Sequence, residues 1–353
     1  MPKIRVLIVD DAVIVRSRLS KILSNDPQLE VVGVAANGRI ALAMISQVNP
    51  DVIILDIEMP EMDGLQTLAA IRQIYPRLPV IMYSTFTRRG AIATLEALSL
   101  GASDYATKPS NLGSVEATTQ HIQDDLIPKI KAFGTFFTPS IIINPVIFPV
   151  HSDIQQVEVV AIGVSTGGPN ALAVVLKQFP ADLSVPILIV QHMPPMFTKL
   201  LAEQLASKCK IPVDEAVSGQ ILEPGHAWIA PGDFHLIVQR DNTGVRLLTH
   251  QTSKENSCRP SVDVLLRSVA QVYGAGAIAV ILTGMGQDGL HGCECIREAG
   301  GQVLAQDKAT SVVWGMPGFV VNAGLANKIL PLNQIADEIM HTIRFNQVPA
   351  SDL

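Results

Sequence analysis

Cysteine is scarce in this 353-residue chain, and its four cysteines lack the spacing of common metal sites. Cys209, Cys258, Cys293 and Cys295 form no paired C-x-x-C motif, which argues against structural zinc. His291 stands near two of these cysteines, but residues two apart on a helix point to different faces. We therefore expect buried free thiols without disulfide bonds.

Charged residues are also few, at 16% of the chain against 48% hydrophobic residues. This composition is typical of a packed globular protein and excludes a disordered chain. The net charge of −6 argues against a general electrostatic hold on nucleic acid or on an anionic membrane. No apolar run reaches the ~18 residues of a membrane span, and no apolar signal region follows Met1. We expect a cytoplasmic protein.

The length exceeds the roughly 250–300 residues at which a single hydrophobic core stops growing, so two domains are expected. The first part alternates short apolar runs with helical patterns, which predicts a parallel sheet with helices on both faces. The predicted strands are Ile4–Val9, Glu30–Ala35, Val52–Leu55, Val80–Tyr83 and Ser103–Ala106.

Polar side chains follow four of these strands: Asp10 and Asp11 the first, Asp56 the third, Ser84 the fourth and Lys108 the fifth. The carboxyl ends of parallel strands meet at one edge, so these groups should converge. Three close carboxylates favour a hard cation such as Mg²⁺. Asp56 is the expected nucleophile toward a phosphoryl group, because Mg²⁺ and the ammonium group of Lys108 would both stabilise the oxygens of the group being transferred. Helix capping by strand-end acids explains any one of these residues but not all five.

This part of the chain resembles a response-regulator receiver, which is a flavodoxin-like five-stranded fold. The resemblance is carried by Asp10-Asp11, Leu55 through Pro60, Asp63-Gly64, Ser84, Tyr105 and Lys108-Pro109. It implies that Asp10, Asp11 and Asp56 hold Mg²⁺ and that Asp56 accepts phosphate from a histidine kinase. It also implies that Ser84, Tyr105 and Lys108 respond to the phosphate.

The sequence predicts a connector at residues 111–156, between a receiver-like domain at 1–110 and a second domain at 157–346, with a tail at 347–353. Helical spacing runs from Leu112 toward Phe133. The apolar segment 136–149 then contains three prolines, which exclude a membrane helix and a central strand. We expect this segment to pack between the two domains.

The second domain is organised around Val157–Asn170, an apolar strand followed by a small-residue turn and a helical run. Gly163, Ser165 and Gly167 form a G-x-S-x-G pattern, which raises a serine hydroxyl above the edge of a sheet. An ordinary glycine-rich turn is the alternative interpretation. A dinucleotide loop is disfavoured because its spacing needs glycine where Ser165 stands.

Further alternation predicts a doubly wound, mainly parallel α/β domain. His192 follows the predicted strand Val185–Val190, and Asp288 comes shortly after the buried strand Ala277–Leu282. If those strands and the one before Ser165 are parallel, the three groups share an edge, as a catalytic triad requires. An antiparallel ribbon is predicted from Ala227–Ala230, Phe234–Val238 and Val245–Thr249.

Other residues compete for these roles. His291 is the rival to His192, which could also be a buried structural histidine, and Asp263 and Asp307 are rivals to Asp288. In the favoured hypothesis, His192 takes the proton of Ser165, whose oxygen attacks an acyl carbon, and Asp288 orients the imidazole. Backbone N–H groups of the Gly284-Met285-Gly286 stretch are the candidate oxyanion donors.

Several motifs of this domain resemble the CheB family of chemotaxis protein-glutamate methylesterases. They are 162–169, 191–195, 259–263, 281–289, 305–307 and 315–317. The resemblance implies a Ser165–His192–Asp288 triad with the Met285 N–H in the oxyanion hole and no cofactor for hydrolysis. It also implies a monomer that demethylates glutamates and deamidates glutamines on chemoreceptors, and whose receiver covers the esterase site until Asp56 is phosphorylated.

Two other classes stay open at this stage. A receiver-driven DNA-binding regulator would need a basic output domain, which the acidic balance disfavours. A nucleotide-binding or non-catalytic interaction module is the remaining alternative.

Overall fold

The computed structural model describes residues 2–109, 115–134 and 156–345. The chain divides into two compact units, Met1–Pro139 and Ser140–Leu353. In the described ranges, no helix combines the length and apolar character needed to cross a membrane. The proline-rich segment 136–149 lies outside the described residues.

The first unit contains a five-stranded parallel sheet with strand order β2-β1-β3-β4-β5. Its strands are β1 (Ile4–Val9), β2 (Leu29–Ala35), β3 (Val52–Asp56), β4 (Val80–Thr85) and β5 (Asp104–Lys108). The helices between them are α1 (Val13–Ser24), α2 (Gly38–Val48), α3 (Gly64–Ile74) and α4 (Arg88–Ser99). Asn37, Asp63 and Thr87 cap the N-termini of α2, α3 and α4, as short polar side chains commonly do. All five predicted strands are confirmed.

A continuous helical segment follows this sheet. It comprises α5 (Val115–His121), a π-helical turn (Ile122–Leu126) and α6 (Ile127–Gly134). Ile122, Leu126 and Ile130 are buried in the core that β1 and β3 also line. The helix predicted from Leu112 toward Phe133 is therefore confirmed over the described residues 115–134. Because it packs on this sheet, the first unit extends past residue 110, where the sequence placed its end.

The second unit contains a seven-stranded parallel sheet with strand order β14-β13-β12-β6-β7-β9-β8, and a separate antiparallel ribbon of β10 and β11. The sheet consists of β6 (Val159–Val164), β7 (Ile187–Gln191), β8 (Val213–Glu215), β9 (Ala227–Ile229), β12 (Ala277–Ile281), β13 (Gln302–Gln306) and β14 (Lys328–Leu330). The ribbon strands are β10 (His235–Asp241) and β11 (Gly244–His250). The helices are α7 (Gly168–Leu176), α8 (Phe197–Ala206), α9 (Val262–Tyr273), α10 (Leu290–Glu298), α11 (Met316–Asn322) and α12 (Ile335–Phe345).

One predicted ribbon strand was wrong. Ala227–Ala230 was assigned to the antiparallel ribbon, whereas β9 pairs in parallel with both β7 and β8. All three residues of β9 are buried, as expected of a strand covered on both faces. The true ribbon is closed by the Asn242-Thr243 turn, where the Asp241 carboxylate accepts a hydrogen bond from the Thr243 N–H at 2.6 Å.

The register of the sheet determines where the chemical groups emerge. Strand β6 lies between β12 and β7, and Gly163 pairs with Ile281 on one side and with Val190 on the other. Alternate residues of these three strands share one core with α9 and the ribbon. The carboxyl ends of the three central strands therefore lie side by side at one edge.

Candidate active site

His192 and Asp288 form a hydrogen-bonded pair at this edge. The distance from His192 Nε2 to Asp288 Oδ2 is 2.8 Å, and the two side chains are only 12% and 3% exposed. We assign the ring proton to Nε2 because that nitrogen faces the carboxylate. The Nδ1 atom then carries the lone pair that can accept a proton.

The Asp288 carboxylate is held rigidly by the start of α9. Its Oδ2 accepts the Val262 N–H at 2.7 Å, and its Oδ1 accepts the Ser261 hydroxyl at 2.8 Å and the Asp263 N–H at 3.1 Å. The Asn256 side-chain amide adds a further donor at 2.9 Å. A helix N-terminus stabilises negative charge through these unpaired N–H groups.

His192 and Asp288 shift each other's pKa in opposite directions. Burial alone would raise the pKa of Asp288, but the His192 ring and the backbone N–H groups hold this pKa at about 2. Burial alone would lower the pKa of His192, but the hydrogen bond to Asp288, with a further contribution from Cys258, raises this pKa to about 10. The carboxylate therefore favours the protonated ring.

Ser165 occupies the turn between β6 and α7. Its N–H donates to the Thr283 carbonyl at 3.0 Å, and its carbonyl accepts the Gln191 side-chain amide at 3.0 Å. Gly167 has a φ of +77°, which allows the sharp turn that a bulkier residue would strain. The side chain is partly exposed. In the described part of the chain, Ser165 Oγ has no hydrogen-bond partner, so the structure brings it to the edge without joining it to His192.

The loop after β12 lies against this serine. A Cβ atom at Gly284 would stand 2.8 Å from Ser165 Cβ and 2.4 Å from Met316 Sδ, so the backbone approaches as closely as glycine allows. Within the described ranges, the N–H groups of Met285 and Gly286 have no hydrogen-bond acceptor. These donors are available to an oxyanion formed at Ser165.

Gly284→Ala is expected to lower turnover by about 100-fold, because the added methyl group must displace Ser165, and small displacements of reacting groups cost about that much. Steady-state methyl ester hydrolysis measures the effect. Gly219→Ala serves as the control, since its Cβ would have no atom within 4 Å, so this variant adds only the backbone strain of a φ of +90° and no steric contact. Equal activity of the two variants would contradict the close packing of this loop on Ser165.

The rival residues have other partners. His291 Nδ1 lies 2.9 Å from Glu294 Oε2 on the surface. Asp263 Oδ1 accepts the N–H groups of Gly289 and Gly292 at the start of α10. Asp307 accepts the Thr310 N–H in a local turn. The structure thus pairs His192 with Asp288 rather than with either alternative acid.

Sequence reasoning missed three residues around the pair. Asn256 and Ser261 bind the Asp288 carboxylate, and Cys258 Sγ lies 3.6 Å from His192 Nδ1. Ser261 could have been found, because it is a short polar residue directly before the helical run that forms α9. Asn256 and Cys258 carry no such signal, since their positions depend on a tertiary turn.

The receiver residues also converge. Lys108 Nζ lies 2.8 Å from both Asp10 Oδ2 and Asp56 Oδ1, and oxygens of Asp10, Asp11 and Asp56 lie within 4.8 Å of one another. Burial raises the pKa of Asp56 to about 6 despite the opposing effect of Lys108. Three carboxylates thus lie close together, and burial disfavours the charged form of one of them, Asp56. Such a cluster fits a hard divalent cation such as Mg²⁺.

Of the three predicted switch residues, two lie beside Asp56 and one does not. Ser84 and Lys108 line the same cavity as Asp11 and Asp56. The Ser84 hydroxyl lies 2.7 Å from the Thr94 hydroxyl. Tyr105 is buried, with 6% of its surface exposed, and does not line that cavity.

These features define a class of protein: an α/β receiver followed by a parallel α/β unit with a serine, a histidine and an aspartate at one sheet edge. Residues 6–120 match the family model of the response regulator receiver domain, and residues 160–339 match that of the CheB methylesterase. The chain belongs to the CheB methylesterase family.

Individual relatives agree with this assignment. A protein-glutamate methylesterase/protein-glutamine glutaminase of Trichodesmium erythraeum is 58% identical over 97% of this chain and all of its own length. One from Nocardioides is 47% identical over the full length of both chains. The crystal structure of the CheB methylesterase catalytic domain of Thermotoga maritima matches with 43% identity and a TM-score of 0.52, covering 53% of this chain and 98% of that one.

Proposed function

We propose that this chain is a phosphorylation-regulated serine hydrolase that demethylates glutamate methyl esters and deamidates glutamines on chemoreceptor cytoplasmic domains. The observation that carries the proposal is the 2.8 Å hydrogen bond from His192 to Asp288 at the sheet edge where Ser165 stands. The printed names of its full-length relatives support the substrate class. The alternative of a non-catalytic module gives no reason for this arrangement.

The proposed reaction uses His192 as the base. Its Nδ1 takes the Ser165 proton while Nε2–H stays bonded to Asp288, and the serine oxygen attacks the ester carbon. The Met285 N–H is the proposed donor to the oxyanion. The bond from the acyl carbon to the leaving group then breaks, and His192 gives its proton to the departing methoxide or, from a glutamine, to the departing nitrogen, which forms methanol or ammonia. A water molecule that gives its proton to His192 then hydrolyses the acyl-enzyme and frees Ser165. Release of methanol from a methylated receptor measures this activity, and its complete absence would contradict the proposal.

The pH dependence of the esterase should report the His192–Asp288 pair. The base must be neutral, and Asp288 raises the pKa of His192, so kcat/KM should increase with pH and reach half its maximum well above pH 6.5. In the Asp288→Asn variant, the midpoint of the residual activity should move down toward 6.5. An acidic limb at or below 6.5 in the unmodified protein would argue against this role of the pair.

We further propose that Asp56 is the phosphorylation site and that a chemotaxis histidine kinase is the phosphodonor. Asp10, Asp11 and Asp56 would hold Mg²⁺, whose charge offsets that of the transferring phosphoryl oxygens. Lys108 already bridges two of these carboxylates and can turn to the phosphate, with Ser84 and Tyr105 as the proposed responding residues. We also propose a cytoplasmic location, because the proposed substrates are cytoplasmic domains of receptors.

Asp56→Asn should abolish phosphorylation and the stimulation of esterase activity by a phosphodonor, while basal esterase activity persists. The reason is that an amide cannot accept the phosphoryl group. Radiolabel incorporation and methanol release measure the two effects. Asp51→Asn is the control, because Asp51 directly precedes β3 at the end opposite to Asp56. An Asp56→Asn protein that still responds to a phosphodonor would place the control elsewhere.

A further inference from the structure

Cys258 occupies a position in the active site that the proposed reaction does not use. Its Sγ lies 3.6 Å from His192 Nδ1, whereas Asp288 binds the opposite ring nitrogen. A thiol, an imidazole and a carboxylate are therefore connected in one hydrogen-bonded chain. The lone pair at Nδ1 is the one that Ser165 needs, so thiol and hydroxyl compete for the same base.

Hydrogen bonds within the turn and to neighbouring residues hold the turn that carries Cys258 in place. Glu255 and Cys258 exchange backbone hydrogen bonds of 3.1 and 2.9 Å, and the two residues between them have positive φ angles. Arg267 binds the Glu255 carboxylate through two nitrogens. The Asn256 amide bridges the carboxylates of Asp263 and Asp288. The sulfur is consequently held beside the imidazole, in a residue that is partly exposed.

The geometry favours a nucleophilic thiol over a metal site. Donor atoms of His192, Cys258 and Asp288 lie within 4.8 Å of one another. However, the thiol and the carboxylate contact opposite nitrogens of the ring, and one ion cannot bind both sides of an imidazole. The Asp288 oxygens also already accept five hydrogen bonds, from Asn256, Ser261, Val262, Asp263 and His192.

We propose that Cys258 is an oxidation site for small peroxides such as H₂O₂ and that its oxidation blocks the esterase; this inference rests on the proposed function. His192 Nδ1 takes the thiol proton, and the thiolate sulfur attacks one peroxide oxygen. The O–O bond breaks, and the departing hydroxide takes the proton from the ring to form water. Cys258 becomes a sulfenic acid, so the sulfur is oxidised by two electrons and the peroxide is reduced.

The product explains the block. The sulfenic hydroxyl is bulkier than the thiol and donates a hydrogen bond to Nδ1, which is then no longer free to take the Ser165 proton. Removal of a general base lowers the rate by about 100-fold or more. A dithiol reductant such as dithiothreitol restores the thiol, releasing water and its own cyclic disulfide.

The test treats the full-length protein with H₂O₂ and measures methanol release relative to the same protein untreated. We expect a loss of at least about 100-fold in the oxidised fraction, recovery with dithiothreitol, and resistance of Cys258→Ala judged against its own untreated rate. Cys209→Ser and Cys295→Ser are matched controls, because they remove the other partly exposed thiols and should stay sensitive.

Dimedone labelling provides a readout that does not depend on esterase activity. An adduct on the peptide containing Cys258 is expected after peroxide treatment, and its yield should fall in His192→Ala. Labelling of other cysteines alone, or equal inactivation of Cys258→Ala and the unmodified protein, would overturn the proposal. If Cys258 is labelled but no methanol is ever released, the oxidation site stands and the esterase function fails.

Discussion

Replacing Ser165 with alanine is expected to lower kcat for methyl ester hydrolysis by about 10⁶-fold, the cost of removing a catalytic serine nucleophile. The effect should be this large because the acyl-enzyme cannot form without the serine oxygen. Methanol release from a methylated receptor measures the loss.

The same variant should fold normally. Ser165 Oγ is partly exposed and has no hydrogen-bond partner in the described part of the chain, so its removal should change the free energy of unfolding by less than about 0.5 kcal/mol. Phosphorylation of the receiver should also persist. Retention of methyl ester hydrolysis by a folded Ser165→Ala protein would remove this serine from the mechanism.

Asp288→Asn should reduce kcat by about 10⁴-fold, as the corresponding change does in serine proteases. An amide nitrogen in place of Oδ2 would face two hydrogens, those of His192 Nε2 and the Val262 N–H. The imidazole can relieve this conflict by moving its proton to Nδ1, which then cannot accept the proton of Ser165. Asp307→Asn, which changes a rival acid engaged in a local turn, should retain activity.

Loss of the His192–Asp288 ion pair should also lower the free energy of unfolding. The folded-state pKa of Asp288 lies near 2, below its ordinary 3.8, so its contribution is complete above pH 3.8 and is lost as pH falls toward 2. The pKa of His192 is raised, so its contribution is complete below 6.5 and is lost as pH rises toward 10. Asp288→Asn should therefore be most destabilising between pH 3.8 and 6.5, as measured by denaturant unfolding. A pH-independent difference would contradict the ion pair.

Much of this arrangement could be predicted because buried parallel strands have a distinctive sequence pattern. Short apolar runs located β6, β7 and β12, and Ser165, His192 and Asp288 each follow one of them. Neighbouring parallel strands end at one edge, so the pattern could predict that the three residues share an edge, whereas the strand order that places β6 between β12 and β7 is given by the structure.

The features that the sequence did not predict, the pairing of β9 and the position of Cys258, also have a physical explanation. Strand β9 has three residues, too few to distinguish a parallel strand from an antiparallel one by pattern. The position of Cys258 depends on a turn with two positive φ angles and on the hydrogen bonds of Glu255 and Asn256 to residues of α9. His192 Nδ1 is reached across 66 residues of chain, and no local propensity encodes such a contact.

The most direct test of the account is labelling with a serine-directed fluorophosphonate, followed by mapping of the modified peptide. We expect a single adduct on Ser165 whose rate of formation falls steeply in His192→Ala and stays unchanged in the surface control His291→Ala. Absence of a Ser165 adduct, or an adduct that forms equally fast without His192, would contradict the claim that these residues form one hydrolytic centre.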